Sequence, residues 1–342
     1  MARTNPAIQR NSGQAFLKSE TDRPSRWRRM RKLTVISLFA GAGGLDLGFI
    51  QAGHQIVWAN DHDPDSVETY KANIDKHIVL GDIGDFDPRT TPSTDVLIGG
   101  LPCQGFSLAN INKIDNDARN DLHAQFARFL FAKRPKYFMM ENVRGMLSLD
   151  GGKAFKEILS SLDKAGYATE HKLINAADFG VPQTRIRLFI IGVRRDLIGS
   201  YRYVFPQPTH TKDPSVGSIN KSWIALKAAL KGIPEPSGKH CLLNHVGSKY
   251  KVTNRNFTGH RRTDPNKPSP TILARGDGKG GVCAIQHPRN HRRLTVRESA
   301  IIQTFPIDFA FTGKINSMYR QVGNAVPVRV AMCIASGFQE RC

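Results

Sequence analysis

A cysteine, a glutamate and two arginines occupy positions from which their side chains could act on one substrate. Cys103 lies on a glycine-rich loop after the fourth predicted strand, Glu141 follows the fifth, and Arg185 and Arg187 alternate at the start of the sixth. The carboxyl ends of parallel strands meet at one edge of a sheet, where α/β proteins bind ligands. An exposed thiolate is a nucleophile, and a carboxylic acid beside it can transfer a proton. The pattern therefore predicts an acid-assisted nucleophilic site.

A glycine-rich turn from Phe39 to Gly48 joins a predicted strand to a predicted helix. Glycines let the backbone approach a ligand, and a helix N-terminus offers unpaired N–H groups. The dinucleotide fingerprint G-x-G-x-x-G would need glycine where the sequence has Asp46, which disfavours NAD or FAD. Asp61 follows the second strand, where a carboxylate can accept ribose hydroxyl bonds, and Asp82 follows the third. For each of these acids the alternative role is an N-cap or a turn residue.

Alternating short strands and helices are predicted to position these residues. The predicted strands are Thr34–Phe39, Gln55–Ala59, Val79–Leu80, Val96–Ile98, Tyr137–Met140 and Leu188–Val193. One predicted helix runs from the glycine turn to Ala52, and the others cover Asp65–Asn73, Leu122–Ala132 and Phe155–Ala165. This alternation indicates an α/β fold with a doubly wound, largely parallel, Rossmann-like sheet.

The second half of the chain lacks this regularity. Beyond about Arg195 it is rich in Pro, Gly, Lys and Asn, with β-rich pieces such as Pro270–Ala274. We predict a basic disordered arm at residues 1–32, a catalytic domain at 33–199 plus 316–342, and a smaller, irregular, mostly β domain at 200–315. The stretch Val326–Phe338 is apolar at helical spacing, so we expect it to pack on the catalytic domain.

The net charge of +20 is unevenly distributed. Residues 1–32 contain nine Lys and Arg against two acids, and residues 194–297 contain twenty against five, whereas residues 33–193 contain sixteen against nineteen. Such a segment-specific excess is typical of a surface that binds a polyanion, and it predicts a nucleic acid partner.

Cysteine usage and hydropathy exclude other classes. The five cysteines are scattered and include no C-x-x-C pair, so neither a disulfide framework nor a metal site is expected. No apolar run approaches the roughly 20 residues of a membrane span, and the N-terminus lacks the apolar region of a signal peptide. We therefore expect a soluble, cytoplasmic protein.

Eight stretches resemble, in order, the motifs of the bacterial DNA (cytosine-5-)-methyltransferase family. They are Leu38–Gly44, Gly81–Ile83, Pro102–Ser107, Glu141–Val143, Gln183–Arg187, Arg293–Glu298, Gln303–Pro306 and Gln321–Val328. Any one triplet is weak evidence, but eight in the family's order are highly specific.

This resemblance implies S-adenosylmethionine as the cofactor. The pocket would be formed by Phe39, Gly41, Gly43, Gly44, Leu45, Asp61, His62, Asp82, Ile83, Pro102 and Asn324. Asp61 would hold the ribose, and His62 would face the adenine. Asp82 would bind the adenine amino group, and Asn324 would close the pocket from the C-terminal segment.

The resemblance also implies the chemistry. Cys103 would add to C6 of cytosine, while Glu141 bonds the N3 edge and Arg187, with Arg185, orients that glutamate and the base. The addition is needed because C5 of cytosine is a poor nucleophile until the aromaticity of the ring is lost. Since neither carbon is accessible inside a duplex, the base must be flipped out.

Double-stranded DNA is the implied partner, with Phe205–Arg289 as the region that recognises the target sequence. The residues expected to contact DNA are Gln104, Ser107, Arg119, Arg261, Arg262, Arg275 and Lys279. For any single basic residue, a phosphate contact or a solvated loop is the commoner role. Bacterial relatives usually act beside a restriction endonuclease that recognises the same site, and we expect a monomer associated with the nucleoid.

The sequence departs from the family pattern at three positions. Ser37 stands where an acid is common, Leu101 replaces a frequent proline, and Asp61 replaces a common glutamate but keeps the carboxylate.

Three other functions are alternatives to a DNA cytosine-5 methyltransferase. They are an RNA cytosine-5 methyltransferase acting on a tRNA-like substrate, a catalytically silent DNA-binding module and, more distantly, a NAD-dependent oxidoreductase.

Overall fold

The computed structural model describes residues 27–29, 32–101, 122–238, 241–247, 262–274, 285–289 and 292–341. Several residues singled out above lie outside these ranges: Pro102, Cys103, Gln104, Ser107, Arg119, Arg261, Arg275 and Lys279.

The described elements follow the predicted alternation in the first half of the chain. The strands are β1 Trp27–Arg29, β2 Thr34–Leu38, β3 Gln55–Asp61, β4 Ile78–Leu80, β5 Val96–Gly100, β6 Tyr137–Val143, β7 Tyr167–Asn175, β8 Gln183–Thr184, β9 Ile186–Arg194, β10 Tyr201–Tyr203, β11 His210–Thr211, β12 Lys221–Ser222, β13 Ser269–Pro270 and β14 Phe338–Arg341. The α-helices are α1 Gly44–Gln51, α2 Pro64–Asn73, α3 Leu122–Lys133, α4 Lys153–Lys164, α5 Leu226–Ala229, α6 Val296–Ile302, α7 Ile315–Asn324 and α8 Val328–Ala335.

A seven-stranded sheet in the order β4-β3-β2-β5-β6-β9-β7 forms the centre of the fold. The first five strands of this order are parallel, whereas β9 runs antiparallel to both β6 and β7. The predicted doubly wound α/β fold is therefore confirmed, with a mixed edge. β7 was not predicted, because its sequence is largely polar and four of its nine residues are exposed.

Both faces of the central strands β2, β5 and β6 are covered, which explains why these strands are continuous apolar runs. Val35, Ile98 and Met139 face a core shared with α1 and α8. Their neighbours Ile36, Leu97 and Phe138 face the opposite core, which is shared with α3 and α4. The helix predicted near the C-terminus is thus present as α8, and it packs against the central sheet and α1.

The N-terminal stretch contributes a strand at the amino end of the sheet. β1 pairs antiparallel with β14, which also pairs with β10. β14 is held against β6 where the Tyr137 hydroxyl donates to the Gln339 carbonyl at 2.7 Å. An ordered strand therefore lies within the range predicted as a disordered arm, and residues 1–26 lie outside the described residues.

The described part of residues 200–315 is irregular. Its described strands are two or three residues long, and the same part of the chain also contains α5 and α6. Of the predicted stretch Pro270–Ala274, only Pro270 lies in a strand. This strand is β13, which pairs in parallel with β8. Residues of this segment, including Leu226 and Leu294, share a third core with Tyr319 of α7 and Ala42 of the glycine turn.

Two features are absent from the residues that the structure describes. No helix among them is long and apolar enough to span a membrane. No group of three His, Cys, Asp or Glu side chains among them is arranged to hold a metal ion.

Candidate active site

The glycine turn has a strained backbone that opens toward free space. Phe39 has φ +58° and Gly41 has φ +55°, both in the left-handed region that favours glycine. A Cβ built on Gly41 would meet no neighbour within 4 Å in the described part of the chain. This is the geometry expected where a backbone approaches a ligand.

The later glycines of the turn serve close packing instead. A Cβ on Gly43 would lie 2.3 Å from the Ile74 side chain, and one on Gly44 would lie 2.7 Å from the Val326 carbonyl oxygen. The side chain of Leu45 is buried in the core, so only its backbone can face a pocket. These residues hold the start of α1 between α2 and the C-terminal segment, and the sequence pattern alone did not separate the two roles.

Asp61 fastens the glycine turn to the end of β3. Its Oδ2 accepts a hydrogen bond from the Gly41 N–H at 2.7 Å, and its Oδ1 accepts from the Asp63 N–H at 2.8 Å. Burial raises the pKa of this carboxyl, although these two hydrogen bonds oppose the rise. A carboxylate has about four lone-pair directions, so two turn bonds leave capacity for a ribose hydroxyl.

The remaining residues predicted at this end of the sheet occupy its rim. The side chain of His62 is largely exposed and lies 3.8 Å from Asp61 Oδ1. Asp82 Oδ1 accepts from the Gly84 N–H at 2.8 Å and caps a short 3-10 helix whose first residue, Ile83, is buried. Asp82 thus has the capping role that the sequence left open.

A buried carboxyl below the glycine turn was missed as a site residue. Asp46 is fully buried, and it accepts hydrogen bonds from the Ser37 hydroxyl at 2.6 Å and the Tyr70 hydroxyl at 2.8 Å. Burial raises the pKa of Asp46 to about 6, against the effect of both hydrogen bonds. Ser37, which departs from the motif pattern noted above, thus donates its hydroxyl to a carboxyl that α1 supplies. The available signal was an acid within an otherwise apolar helix.

Glu141 lies at the carboxyl end of β6, beside the start of the cysteine loop. Its carbonyl oxygen accepts a hydrogen bond from the N–H of Leu101, the last described residue before Cys103, at 3.1 Å. A Cβ on Gly100 would lie 3.6 Å from Glu141 Oε2, so this glycine leaves room above the carboxyl. Backbone pairing therefore fixes Glu141 relative to the point where the cysteine loop begins.

The Glu141 carboxyl is buried beside the positive charge of Arg187. Oε1 lies 3.1 Å from Arg187 Nε but has no hydrogen-bond partner of suitable geometry among the described residues. Burial raises the pKa of Glu141, while the positive charges of Arg187 and Arg185 oppose that rise. A buried carboxyl of this kind can donate a proton to, or accept one from, a ring nitrogen.

The two predicted arginines have different surroundings. Arg187 faces Glu141, whereas the guanidinium of Arg185 donates to the Ile272 carbonyl at 2.9 Å and the Gly323 carbonyl at 3.1 Å. Burial lowers the pKa of Arg185 to about 9, so it remains charged at neutral pH. Within the described contacts, Arg185 acts on Glu141 through its charge.

The other predicted residues lie farther along the chain. Asn324 is exposed at the end of α7, next to the segment that touches Gly44. Arg262 is also exposed. The structure thus brings Phe39, Gly41 and Asp61 together at one sheet end, and Glu141 with Arg187 at the same edge.

Comparison with known sequences points to one family. The sequence profile described as C-5 cytosine-specific DNA methylase matches residues 33–340. Type II methyltransferase M.NgoFVII of Neisseria gonorrhoeae is 37% identical over 319 residues, which cover 86% of this chain and 83% of that protein. Type II methyltransferase M.BspRI of Lysinibacillus sphaericus is 33% identical over 355 residues, which cover 90% and 82%.

Comparison with solved structures gives the same architecture. A putative DNA modification methyltransferase encoded within an Escherichia coli prophage aligns with a TM-score of 0.69 and 24% identity, covering 89% of this chain and 98% of that one. The Dnmt2 methyltransferase of S. pombe aligns with a TM-score of 0.64 and 20% identity, covering 89% and 97%. At these identities the likeness establishes the fold.

Proposed function

The chain belongs to the C-5 cytosine-specific DNA methylase family, and from this membership we propose that Cys103, Glu141 and Arg187 act together on an extruded cytosine. The overall activity is DNA cytosine-5 methylation. The observation that carries the residue assignment is the Glu141 carboxyl, which is buried and ion-paired with Arg187 at the strand end where the cysteine loop begins, and whose Oε1 has no well-aligned hydrogen bond among the described residues.

The residues of the glycine turn suit S-adenosylmethionine, the methyl donor expected for this family. Gly41 adjoins open space, and Asp61 keeps lone pairs for a ribose after fastening the turn. We assign Phe39, His62, Asp82 and the C-terminal Asn324 to the walls of the pocket. When bound, the cofactor supplies an electrophilic methyl group that C5 of the activated base accepts.

The protein groups make C5 reactive in a defined order. Glu141, in its protonated form, donates to N3 and draws electron density from the ring, while Arg187 holds the glutamate in place. The thiolate of Cys103 then adds to C6, which removes the aromaticity of the ring and makes C5 nucleophilic. After methylation, loss of the C5 proton and elimination of the thiolate restore the ring and free Cys103.

The basic half of the chain is assigned to the DNA backbone and the target sequence. Residues 194–297 contain fifteen more basic than acidic residues, which suits contact with phosphates. We propose that the enzyme acts as a monomer at the bacterial nucleoid, in the cytoplasm. A restriction endonuclease that cleaves the same sequence is the proposed functional partner, since the relatives compared above are named Type II methyltransferases.

Expression in a host without cytosine methylation, followed by bisulfite sequencing of its DNA, tests this function. We expect 5-methylcytosine at one short sequence motif, and none in cells that express Cys103→Ala. Soluble protein that leaves the DNA unmethylated would contradict the proposal. Preferential labelling of RNA over DNA by purified protein with labelled cofactor would favour the RNA alternative instead.

A further inference from the structure

Two buried glutamines join segments on either side of the predicted site. Gln183 and Gln303 are both fully buried, and Gln183 Nε2 donates a hydrogen bond to Gln303 Oε1 at 2.8 Å. Gln183 lies on β8, and Gln303 directly follows α6. Neither residue has a role in the chemistry described above.

Gln183 holds the described residues 262–274, which we name the recognition segment. Gln183 Oε1 accepts a hydrogen bond from the Ile272 N–H at 2.8 Å, and Arg185 donates to the Ile272 carbonyl at 2.9 Å. Both backbone polar groups of Ile272 are therefore held by side chains that lie next to β9, the strand that carries Arg187. Ile272 is three residues before Arg275, the first basic residue of a stretch predicted to read DNA.

Gln303 holds residues Val322–Val326, which we name the cofactor turn because they include Asn324. Gln303 Nε2 donates to the Val322 carbonyl at 2.8 Å and to the Ala325 carbonyl at 3.1 Å. Arg185 donates to the Gly323 carbonyl within the same turn. The glutamine pair therefore spans from the recognition segment to the cofactor turn.

The two segments also touch directly. A Cβ built on Gly323 would lie 2.5 Å from backbone atoms of Leu273 and Ala274, so no side chain separates them. Buried side chains in such close packing transmit a displacement instead of absorbing it.

Each glutamine amide fits in one orientation. Reversing Gln183 would place its N–H groups against the Ile272 N–H, and reversing Gln303 would place its oxygen against two carbonyls. A buried polar group that loses its partner is strongly disfavoured. A displacement of the recognition segment or of the cofactor turn therefore strains the hydrogen bonds of the amide pair, and the strain displaces the other segment.

We propose that Gln183 and Gln303 are positioning residues that couple the recognition segment to the cofactor turn. DNA bound by the first segment and cofactor bound by the second then strengthen each other's binding, and the effect is reciprocal. This inference depends on the proposed function for the identity of the two ligands.

Leucine variants test the coupling across the pair. We expect Gln183→Leu to weaken S-adenosylhomocysteine binding about tenfold in calorimetry, although Gln183 has no described hydrogen bond to the cofactor turn. Gln303→Leu is expected to weaken binding of a duplex containing the methylated sequence by a similar factor in fluorescence anisotropy. Each variant thus affects the ligand on the far side of the pair.

Gln321→Leu is the matched control. Gln321 lies on α7 and is as deeply buried, but its side chain bonds Thr69 and the Thr312 carbonyl instead of the glutamine pair. We expect it to lower the melting temperature about as much as the test variants while leaving both affinities within twofold of the wild type.

Gln183→Glu keeps the test decisive if the leucine variants do not fold. Its carboxyl oxygen can still accept from the Ile272 N–H, but only the protonated form can donate to Gln303. Because burial raises a carboxyl pKa, S-adenosylhomocysteine affinity should recover toward the wild-type value as pH falls. The wild type, titrated over the same pH range, shows whether that recovery is specific.

The outcomes separate this proposal from the proposed function. If each leucine variant weakens only the ligand on its own side, or if Gln321→Leu reproduces the effects, the coupling is wrong. If the wild type binds no S-adenosylhomocysteine and methylates no DNA, the proposed function has failed.

Discussion

At the scale of single residues, the most informative group is a carboxyl that folding leaves incompletely satisfied. Burying the Glu141 carboxyl is unfavourable, since a buried oxygen without a well-aligned hydrogen bond loses its hydration, and Oε1 has no such bond among the described residues. The positive charge of Arg187, whose Nε lies 3.1 Å from Oε1, offsets part of that cost. Such an arrangement suits a group whose partner is a substrate.

Glu141→Gln should lower the rate of DNA methylation by a factor of about 100 or more. The amide has the same shape but cannot give up a proton, and general acid groups contribute roughly 10² to 10⁴ in rate. Single-turnover methylation assays measure the rate, and calorimetry should show unchanged cofactor affinity. Glu170→Gln, on the exposed edge strand β7, is the control. Equal rates for the two variants would mean that Glu141 is not an acid catalyst.

Asp46 determines how stability should vary with pH. Its pKa is raised from 3.8 to about 6 in the folded protein, so between these values the folded state binds more protons than the unfolded state. Stability contributed by this group is therefore present at low pH and is lost as pH rises toward 6 and above.

Asp46→Asn should remove this dependence. Melting temperatures of the wild type should fall relative to the variant as pH rises from about 4 to 6, by the equivalent of roughly 3 kcal/mol for a two-unit shift. The asparagine can still accept from Ser37 and bond Tyr70, so the fold is retained. Parallel melting curves for both proteins across this range would contradict the assigned pKa.

Residue types and spacing identified the candidate site better than they identified its internal roles. The positions of Asp61 and Asp82 in the sequence marked them as candidates. Only the structure shows that each accepts a hydrogen bond from a backbone N–H of a nearby turn. Arg185 and Arg187 look equivalent in sequence, yet one faces Glu141 and the other bonds two carbonyls. Such differences depend on contacts between segments that are distant in the sequence, 87 and 138 residues apart for the two carbonyls that Arg185 bonds, and local patterns do not encode them.

At the scale of secondary structure, apolar runs predicted every parallel strand of the central sheet. The central strands β2, β5 and β6 are buried on both faces, so hydrophobicity alone identifies them. Strand β7 escaped because an edge strand with exposed residues has no such pattern. The short strands β8 and β13 depend on pairing with each other across the chain, which the sequence does not reveal.

Gly48 should be intolerant of even a methyl group. A Cβ there would lie 2.3 Å from the Ala331 side chain and 2.7 Å from the Met332 backbone, so α1 and α8 would have to separate. We expect Gly48→Ala to destabilise the protein by roughly 1–3 kcal/mol in chemical denaturation. Gly199→Ala, where a Cβ meets no neighbour within 4 Å, should be nearly neutral. Equal stability of the two variants would show that the helices can move apart without cost.

At the scale of the whole molecule, charge and chemistry belong to different parts of the chain. The sheet and its catalytic edge come from a nearly neutral stretch, whereas residues 194–297 contain most of the excess positive charge. Domain boundaries remain a prediction, and the shared core between Ala42, Leu226 and Tyr319 shows that the two parts are packed together. We expect DNA bound to the basic part to contact the edge that carries Glu141, because Arg185, whose charge acts on Glu141, bonds Ile272 of that part.

This distribution predicts that DNA affinity falls steeply with salt, and that the slope depends on where a charge is removed. Each phosphate contact releases condensed counterions, so the slope of log affinity against log salt should decrease by about one unit for Arg262→Ala. Lys156→Ala removes an equally exposed charge from α4 in the neutral part, and it should leave the slope unchanged. Anisotropy titrations from roughly 50 to 300 mM salt measure this slope for the wild type and for both variants. An identical slope for both variants would mean that Arg262 makes no phosphate contact, and a flat titration of the wild type would remove the electrostatic argument for the basic half.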